Sequence, residues 1–341
     1  MRADTIVQSR TRRLRRNRRV ITILSLVILV FAILGIHVGS TFLHPIDVFQ
    51  ALLGDTVPGV RFTLMELRLP RVVMGLLAGF AFGIAGLTFQ SLLRNPLASP
   101  DIIGITSGAS AAAVFGIVLL GWGEVDVSLL AVGAAIATAA AILAFSAGIG
   151  FATVRLILIG IGIAAMLDAI VAYLLSRASA WDVQTAMRWL AGSLNGVSWQ
   201  AIAPLTATVG VFATILLSRT RALGTLVLGE DIARGLGLPV RSTRLLLLLA
   251  AAAILAFATA ASGPIAFVAF MAGPIAVRLV GSGDPPLLAA GLCGSALVLT
   301  ADFVGQQFLG TRVPVGVVTG VLGAPFLIYL LVKNYRIGGT L

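Results

Sequence analysis

Apolar stretches long enough to cross a membrane recur along almost the whole chain, separated by short polar segments. A spanning helix needs about 20 apolar residues to cross ~30 Å of hydrocarbon. The stretches lack the alternation of polar and apolar positions that membrane-barrel strands show. The pattern predicts an all-α membrane protein with about ten transmembrane helices. The predicted spans are 20–38, 70–93, 102–120, 127–149, 156–175, 200–218, 243–262, 264–280, 286–303 and 314–332.

These spans divide the chain into a basic segment 1–19, a transmembrane domain 20–332 and a short tail 333–341. Hydrophobic residues make up 59% of the 341, and charged residues only 11%, which leaves too few charges for the surface of a soluble domain of this size. The composition therefore supports a multi-span membrane protein.

The net charge of +11 follows the predicted topology. If the N-terminus is cytoplasmic, three-quarters of the 24 Lys and Arg residues lie on the inner side, which predicts that both termini are cytoplasmic. No aromatic residue is interleaved with the N-terminal arginines, so they are predicted to contact lipid head groups rather than nucleic acid.

The most polar interior segment, residues 219–244, is predicted to be a cytoplasmic loop that carries a short helix over 229–236. Gly229 can cap such a helix, Glu230 and Asp231 suit its positive N-terminal end, and Gly237 stops it. Three small residues would let another backbone approach: Ala233, Gly235 and Gly237. We interpret this helix as a docking site for another protein.

Two arginines three positions apart lie at the outer entrance of a helix that begins with a proline, in the sequence RLPR at 68–71. Arg312 before Pro314 repeats this arrangement ahead of the last span. Such arginines either extend towards lipid head groups or dock an acidic partner, and the two readings stay open at this point.

Several features predict a path through the bilayer. Pro96 and Pro100 break the chain at the inner end of the second span, which makes Asn95 and Leu97 candidates for a cytoplasmic constriction, unless the segment is an ordinary inner loop. Asp168 is interpreted as the one acid well inside a span; it is either a functional residue or a protonated, hydrogen-bonded group. The pairs at 263–264 and 273–274, both Gly-Pro, predict two helix breaks and short, discontinuous helices.

Motifs for catalysis are absent from the sequence. The single lysine, Lys333, lies outside any GxxxxGK[ST] phosphate-binding loop, and neither HExxH nor GxSxG occurs. Cys293 is the only cysteine, and His37 and His44 lack ligand-spaced partners, so no metal site is predicted. The chain is therefore predicted to be neither an enzyme nor a cofactor-binding protein.

Five ordered motifs carry a family resemblance that covers most of residues 60–332. They are the run from RLPRVVMGLLAGF to SPDIIGITSGAS, then RWLAGSLNGVSW, LGEDIARGLGLPV, GPIAFVAFMAGPIAVR and VPVGVVTGVLGAPF. With them the chain resembles the permease subunits of binding-protein-dependent ABC importers for iron-siderophores, haem and vitamin B12. One departure is Gly273-Pro274, where many members have Pro-His.

The resemblance implies a type II ABC importer permease fold of ten helices that moves a ferric siderophore inward across the cytoplasmic membrane. Its implied partners are a second permease subunit, identical or paralogous, an extracytoplasmic binding protein, and two ATPases that hold ATP-Mg, with no cofactor on this chain. Vitamin B12 or haem is the alternative cargo. An ion-coupled secondary transporter, with Asp168 as its coupling acid, is the alternative class.

The resemblance also implies roles for particular residues. The residues implied to couple to the ATPase are Gly229, Glu230, Asp231, Ala233, Arg234, Gly235, Leu236 and Gly237. Those implied to dock the binding protein are Arg68, Arg71 and Arg312. The inner gate is implied to include Asn95, Leu97, Ala152 and Thr153, and Asp168 completes the candidate pathway.

Overall fold

The protein is helical in a computed structural model that describes residues 3–54, 59–99, 104–146, 153–281 and 283–338. In chain order the helices are α1 Ala3–His37, α2 Pro45–Leu53, α3 Val60–Phe62, α4 Leu69–Leu92, α5 Ile105–Val118, α6 Glu124–Ser146, α7 Thr153–Arg177, α8 Ala180–Leu190, α9 Trp199–Ser218, α10 Thr220–Val227, α11 Glu230–Gly235, α12 Val240–Ser262, α13 Val268–Val280, α14 Leu287–Gln307 and α15 Val315–Gly338. No strand occurs in these ranges.

Ten apolar helices account for the predicted spans within the described residues. Eight of the ten are long and apolar enough to cross a membrane, and the shorter α5 and α13 are also apolar. The all-helical prediction is confirmed, and the helix count agrees roughly with the ten predicted spans. Among the eight long spans, those that contain α4, α12 and α14 are the most buried within this single subunit, so these three helices lie at the centre of the bundle.

Helix α1 begins well before the predicted first span, because the basic segment continues the same helix. Two of its arginines bind backbone carbonyls at the end of α13 and just after it. Arg16 donates to the carbonyls of Arg278 and Leu279, at distances of 2.8 and 2.7 Å, and Arg13 donates to the carbonyl of Asp284 at 3.2 Å. Carbonyls at a helix C-terminus lack intrahelical donors, so the Arg16 contacts cap the end of α13, whereas Arg13 binds the connection between α13 and α14.

The second span starts about ten residues earlier than predicted, at Val60 instead of residue 70. A single wide turn, the π-helical segment Thr63–Arg68, connects α3 to α4. Within it the amide of Leu69 donates to Leu64, five residues back, just ahead of Pro70. The prediction treated Pro70 as a helix start, whereas the wide turn lets one continuous helix accommodate this proline.

Glycines bring α4 and α14 into close contact at the centre of the bundle. A Cβ atom at Gly79 would lie 2.5 Å from the carbonyl oxygen of Gly294, and one at Gly83 would overlap that of Ala290. Small residues let helix backbones approach in membranes and so replace the hydrophobic force that water provides elsewhere. The backbones of α4 and α14 are therefore in direct contact.

The first of the two predicted Gly-Pro breaks is present and the second is wrong. Helix α12 ends at Ser262, and α13 begins only at Val268. Pro274, however, lies inside α13. A proline in a helix leaves the carbonyl four residues earlier without its amide donor. Gln90 of α4 donates to that carbonyl, at Phe270, with 3.0 Å between the atoms, so α13 continues through the proline.

Candidate functional site

The predicted short helix of the polar loop is present as α11, and glycines set both of its ends. Gly229 precedes it with φ 123°, and Gly237 follows it with φ 81°. Both values lie in a region that side chains with a Cβ rarely adopt. The helix spans only six residues, Glu230–Gly235, and follows α10 directly. Sequence analysis did not predict α10.

Three large apolar side chains of this loop point away from the bundle. Leu228, Ile232 and Leu236 are 62%, 53% and 68% exposed, whereas Ala233 on the opposite face is fully buried. Exposed apolar clusters of this kind mark interaction sites. Only Leu236 was among the predicted coupling residues. The spacing of i, i+4 and i+8 is the sequence signal that could have identified Leu228 and Ile232.

Charged side chains tie α11 to the rest of the bundle. Glu230 accepts from Arg244 of α12 at 2.6 Å and from Arg234 at 3.0 Å, and Arg234 also donates to Asp231 at 3.0 Å. Arg244 is buried, whereas Asp231 is almost fully exposed. The buried acid-base contact therefore faces the membrane helices, and the exposed charges face away from them.

At the opposite end of the bundle, Arg68 is buried by its own subunit. Its guanidinium donates to the carbonyl of Ile36, in the last turn of α1, and to that of Thr41, just after α1, at 2.6 and 2.5 Å. Gly39 lacks a side chain there, and a Cβ would lie 2.7 Å from the guanidinium. Only 8% of Arg68 is exposed, so its charge serves this connection in the present conformation, rather than the free docking surface that the sequence suggested.

Arg71 forms a bidentate ion pair with Asp302 of α14, with both N–O distances 2.7 Å, and also donates to Asn195 at 2.7 Å. This cluster links α4, α14 and the loop after α8. Asp302 was missed by the sequence analysis, which recognised one acid inside the spans. The two residues are 231 positions apart, so no local pattern reports their contact.

Arg312 is exposed and lies on the same cavity as the other two predicted docking arginines. This cavity has a volume of about 420 Å³ and is lined by Arg68, Arg71, Asp302 and Arg312, among other residues. A second cavity of about 520 Å³ also reaches Arg312. The structure therefore brings the three predicted arginines to one concave surface, with Arg312 as the exposed charge.

The predicted gate residues have mixed surroundings. The side chain of Asn95 accepts from the backbone amide of Leu97 at 2.9 Å, which closes a tight turn. Leu97 packs beside Phe270 and Leu330. Thr153 is the first residue of α7, and Ala152 falls outside the described residues.

Asp168 lies on an exposed face of α7 within this single subunit. The same helix exposes Leu158, Met166 and Tyr173. A carboxylate facing hydrocarbon is costly. The face around Asp168 therefore needs cover from protein or water.

The described residues form a bundle of ten apolar helices with a short helix in a polar loop, an arrangement that fits the membrane-spanning permease class of ABC transporter subunits. The chain belongs to the FecCD transport family, whose model matches residues 26–333. It is thus a permease subunit of a siderophore or metal-chelate ABC importer and a multi-pass protein of the cytoplasmic membrane.

Named relatives agree with this assignment. The ferric enterobactin transport system permease protein FepG of Escherichia coli is 42% identical over 94% of this chain and 98% of its own length. The achromobactin permease CbrC of Dickeya dadantii is 39% identical over 91% and 90%. The vitamin B12 import permease BtuC of Salmonella newport is 33% identical over 94% and 97%.

A solved structure shows the same fold. It is a metal-chelate type ABC transporter in an inward-facing conformation, with a TM-score of 0.81 and 26% identity over 93% of this chain and 99% of that one. The predicted permease fold is confirmed. Family membership favours the importer over the ion-coupled secondary transporter that the sequence alone left open.

Proposed function

We propose that this subunit passes a ferric siderophore of the enterobactin type from an extracytoplasmic binding protein into the cytoplasm. The observation that carries the cargo assignment is the 42% identity, over nearly the full length of both chains, to the ferric enterobactin permease. The relative that imports vitamin B12 is less similar, at 33%.

The partners in this proposal are two ATPase subunits, a second permease subunit and a binding protein. The ATPases hold ATP-Mg and hydrolyse it, and this chain supplies the pathway. The exposed apolar stripe of Leu228, Ile232 and Leu236 supports an ATPase contact at α11, because such a stripe fits a hydrophobic groove on a partner. That contact requires the loop, and with it both termini, to face the cytoplasm.

Binding-protein docking is proposed at the cavity that Arg71 and Arg312 share. Arg312 is exposed and offers a free charge to a partner carboxylate, whereas Arg71 already holds Asp302. Arg68 lines the same cavity and binds the carbonyls of Ile36 and Thr41, which holds the backbone beside the docking surface in place. An acidic patch on the binding protein is the complementary chemistry.

The cargo pathway is proposed to run along the exposed face of α7, against the second permease subunit. That subunit, or the water of the pathway, would surround Asp168 and so remove the cost of a carboxylate in lipid. Asn95, Leu97 and the segment at 152–153 would narrow the inner end.

The test is ATP hydrolysis by the permease–ATPase complex in lipid, with and without the loaded binding protein. We expect stimulation by the ferric-siderophore-loaded protein. Arg312→Glu should abolish the stimulation but keep basal hydrolysis, because it reverses the exposed docking charge. Arg61→Glu is the matched control, since Arg61 is exposed near the same end but does not line the cavity. Equal loss in both variants would contradict docking at this cavity, and stimulation by vitamin B12- or haem-loaded protein alone would contradict the cargo.

A further inference from the structure

Glu230 binds two arginines, one exposed on its own helix α11 and one buried on α12. Its Oε2 atom pairs with Arg234 inside α11, at 3.0 Å, and Arg234 is 59% exposed. Its Oε1 atom pairs with Arg244 at 2.6 Å, and the Arg244 side chain is only 6% exposed. One carboxylate therefore connects the six-residue loop helix to a buried position in the first turns of α12.

Other contacts hold α11 only weakly. Six residues allow few internal hydrogen bonds, and Ala233 is its one fully buried side chain. The chain after it turns back through bonds from Gly237 to the Arg234 carbonyl and from Leu238 to the Ala233 carbonyl. These bonds fix the turn but do not reach α12. Among the described residues, the Glu230–Arg244 ion pair is the salt bridge that joins α11 to α12.

A third arginine crowds the same acid-base contact. Arg94 follows the end of α4 and has φ 48°, a strained value for a residue with a Cβ. Its guanidinium lies next to Gly229, 3.9 Å from where a Cβ would be. Within the described part of the chain, Glu230 is the acid that pairs with Arg244, so a shift of α11 changes the electrostatic balance at the inner ends of both α4 and α12.

We propose that the Glu230–Arg244 ion pair is the positioning contact through which motion of α11 is transmitted to α12. The inference rests on the proposed function, because an ATPase must move α11 for there to be motion to transmit. Pulling α11 away from α12 would break this largely buried ion pair, which is costly. The two helices therefore move together rather than separate.

Helix α12 extends this link across the bundle. It is one of the most buried spans and runs from Val240 to Ser262, where its last carbonyl accepts from the amide of Ser193 at 2.8 Å. Ser193 lies in the loop between α8 and α9, and two residues further along this loop the side chain of Asn195 accepts from Arg71. One buried helix thus connects the α11 contact to the loop beneath the outer cavity.

The test separates ATPase attachment from coupling. The permease–ATPase complex is reconstituted in proteoliposomes, and three quantities are measured: the ATPase retained on purification, basal ATP hydrolysis, and cargo imported per ATP hydrolysed. Arg244→Gln should keep the first two quantities and lower the third by about three- to tenfold, within the range for residues that couple distant sites. Glu230→Gln, on the helix proposed to contact the ATPase, should lower the third quantity by a similar factor. Arg241→Gln is the control, because Arg241 is exposed one turn earlier on α12.

A double variant decides whether the two residues act as a pair. If they do, Glu230→Gln with Arg244→Gln should be no worse than either single change. Multiplied losses, or wild-type import per ATP in both single variants, would overturn the inference. Glu230→Gln, at a partly exposed position, keeps the test valid if Arg244→Gln fails to fold. Loss of the ATPase from the wild-type complex would instead contradict the proposed function itself.

Discussion

The Arg71–Asp302 ion pair gives the sharpest prediction for stability. Both of its bonds are 2.7 Å, and the side chains are 21% and 12% exposed. An exposed pair contributes less than ~1 kcal/mol, and loss of one partner from a fully buried pair costs about 3–5 kcal/mol. Arg71 keeps its bond to Asn195, so Asp302→Asn should cost roughly 2 kcal/mol, between these two limits.

The loss of stability in Asp302→Asn can be measured through the single cysteine of the chain. Cys293 is 3% exposed, so a thiol-reactive dye reports unfolding of the detergent-solubilised protein without an added label. We expect Asp302→Asn to lower Tm by roughly 3 °C, from the unfolding entropy of a chain this long. Asp126→Asn, at an exposed acid, should stay within about 0.5 kcal/mol of wild type.

A double-mutant cycle with Arg71→Gln then measures the pair itself. The coupling energy between the two changes should be at least about 1 kcal/mol. Additive effects would refute the reasoning, because they would mean that each residue stabilises the outer end independently of the other.

Three further predictions follow from single contacts. Gly83→Val should reduce the yield of monodisperse protein, because its side chain would collide with the α14 backbone, whereas Gly133→Val has open space and should be tolerated. Gln90→Leu should lower stability by about 1–3 kcal/mol in the thiol assay, because it leaves the α13 carbonyl beside the proline unpaired. Ile232→Glu should remove the ATPase subunits on co-purification while Arg241→Gln retains them, and equal retention would contradict the role of the exposed stripe.

The sequence was sufficient for the features that depend on local pattern. Apolar runs of spanning length predicted the helices of the bundle, and Gly229 with the two acids after it predicted α11. The start of the second span was predicted wrongly at Pro70, because a π-helical turn just before it lets the helix continue through the proline. The local pattern therefore fails where the backbone has a second way to satisfy its hydrogen bonds.

Contacts between residues far apart in the chain could not be predicted from the sequence. Pro274 was read as a break, since nothing nearby shows that Gln90, 180 residues away, supplies the missing donor. Arg68 was interpreted as an exposed charge, although carbonyls at and just after the end of α1 bind it. Asp302 became visible only when α4 and α14 were packed together.

Import of the cargo tests the central proposal most directly. Proteoliposomes carrying the permease–ATPase complex, with ATP inside and binding protein loaded with radioactive ferric enterobactin outside, are compared with and without a protonophore. We expect uptake that requires internal ATP and that persists when the proton gradient is removed. Uptake that continues without ATP and stops when the gradient is removed would contradict the importer.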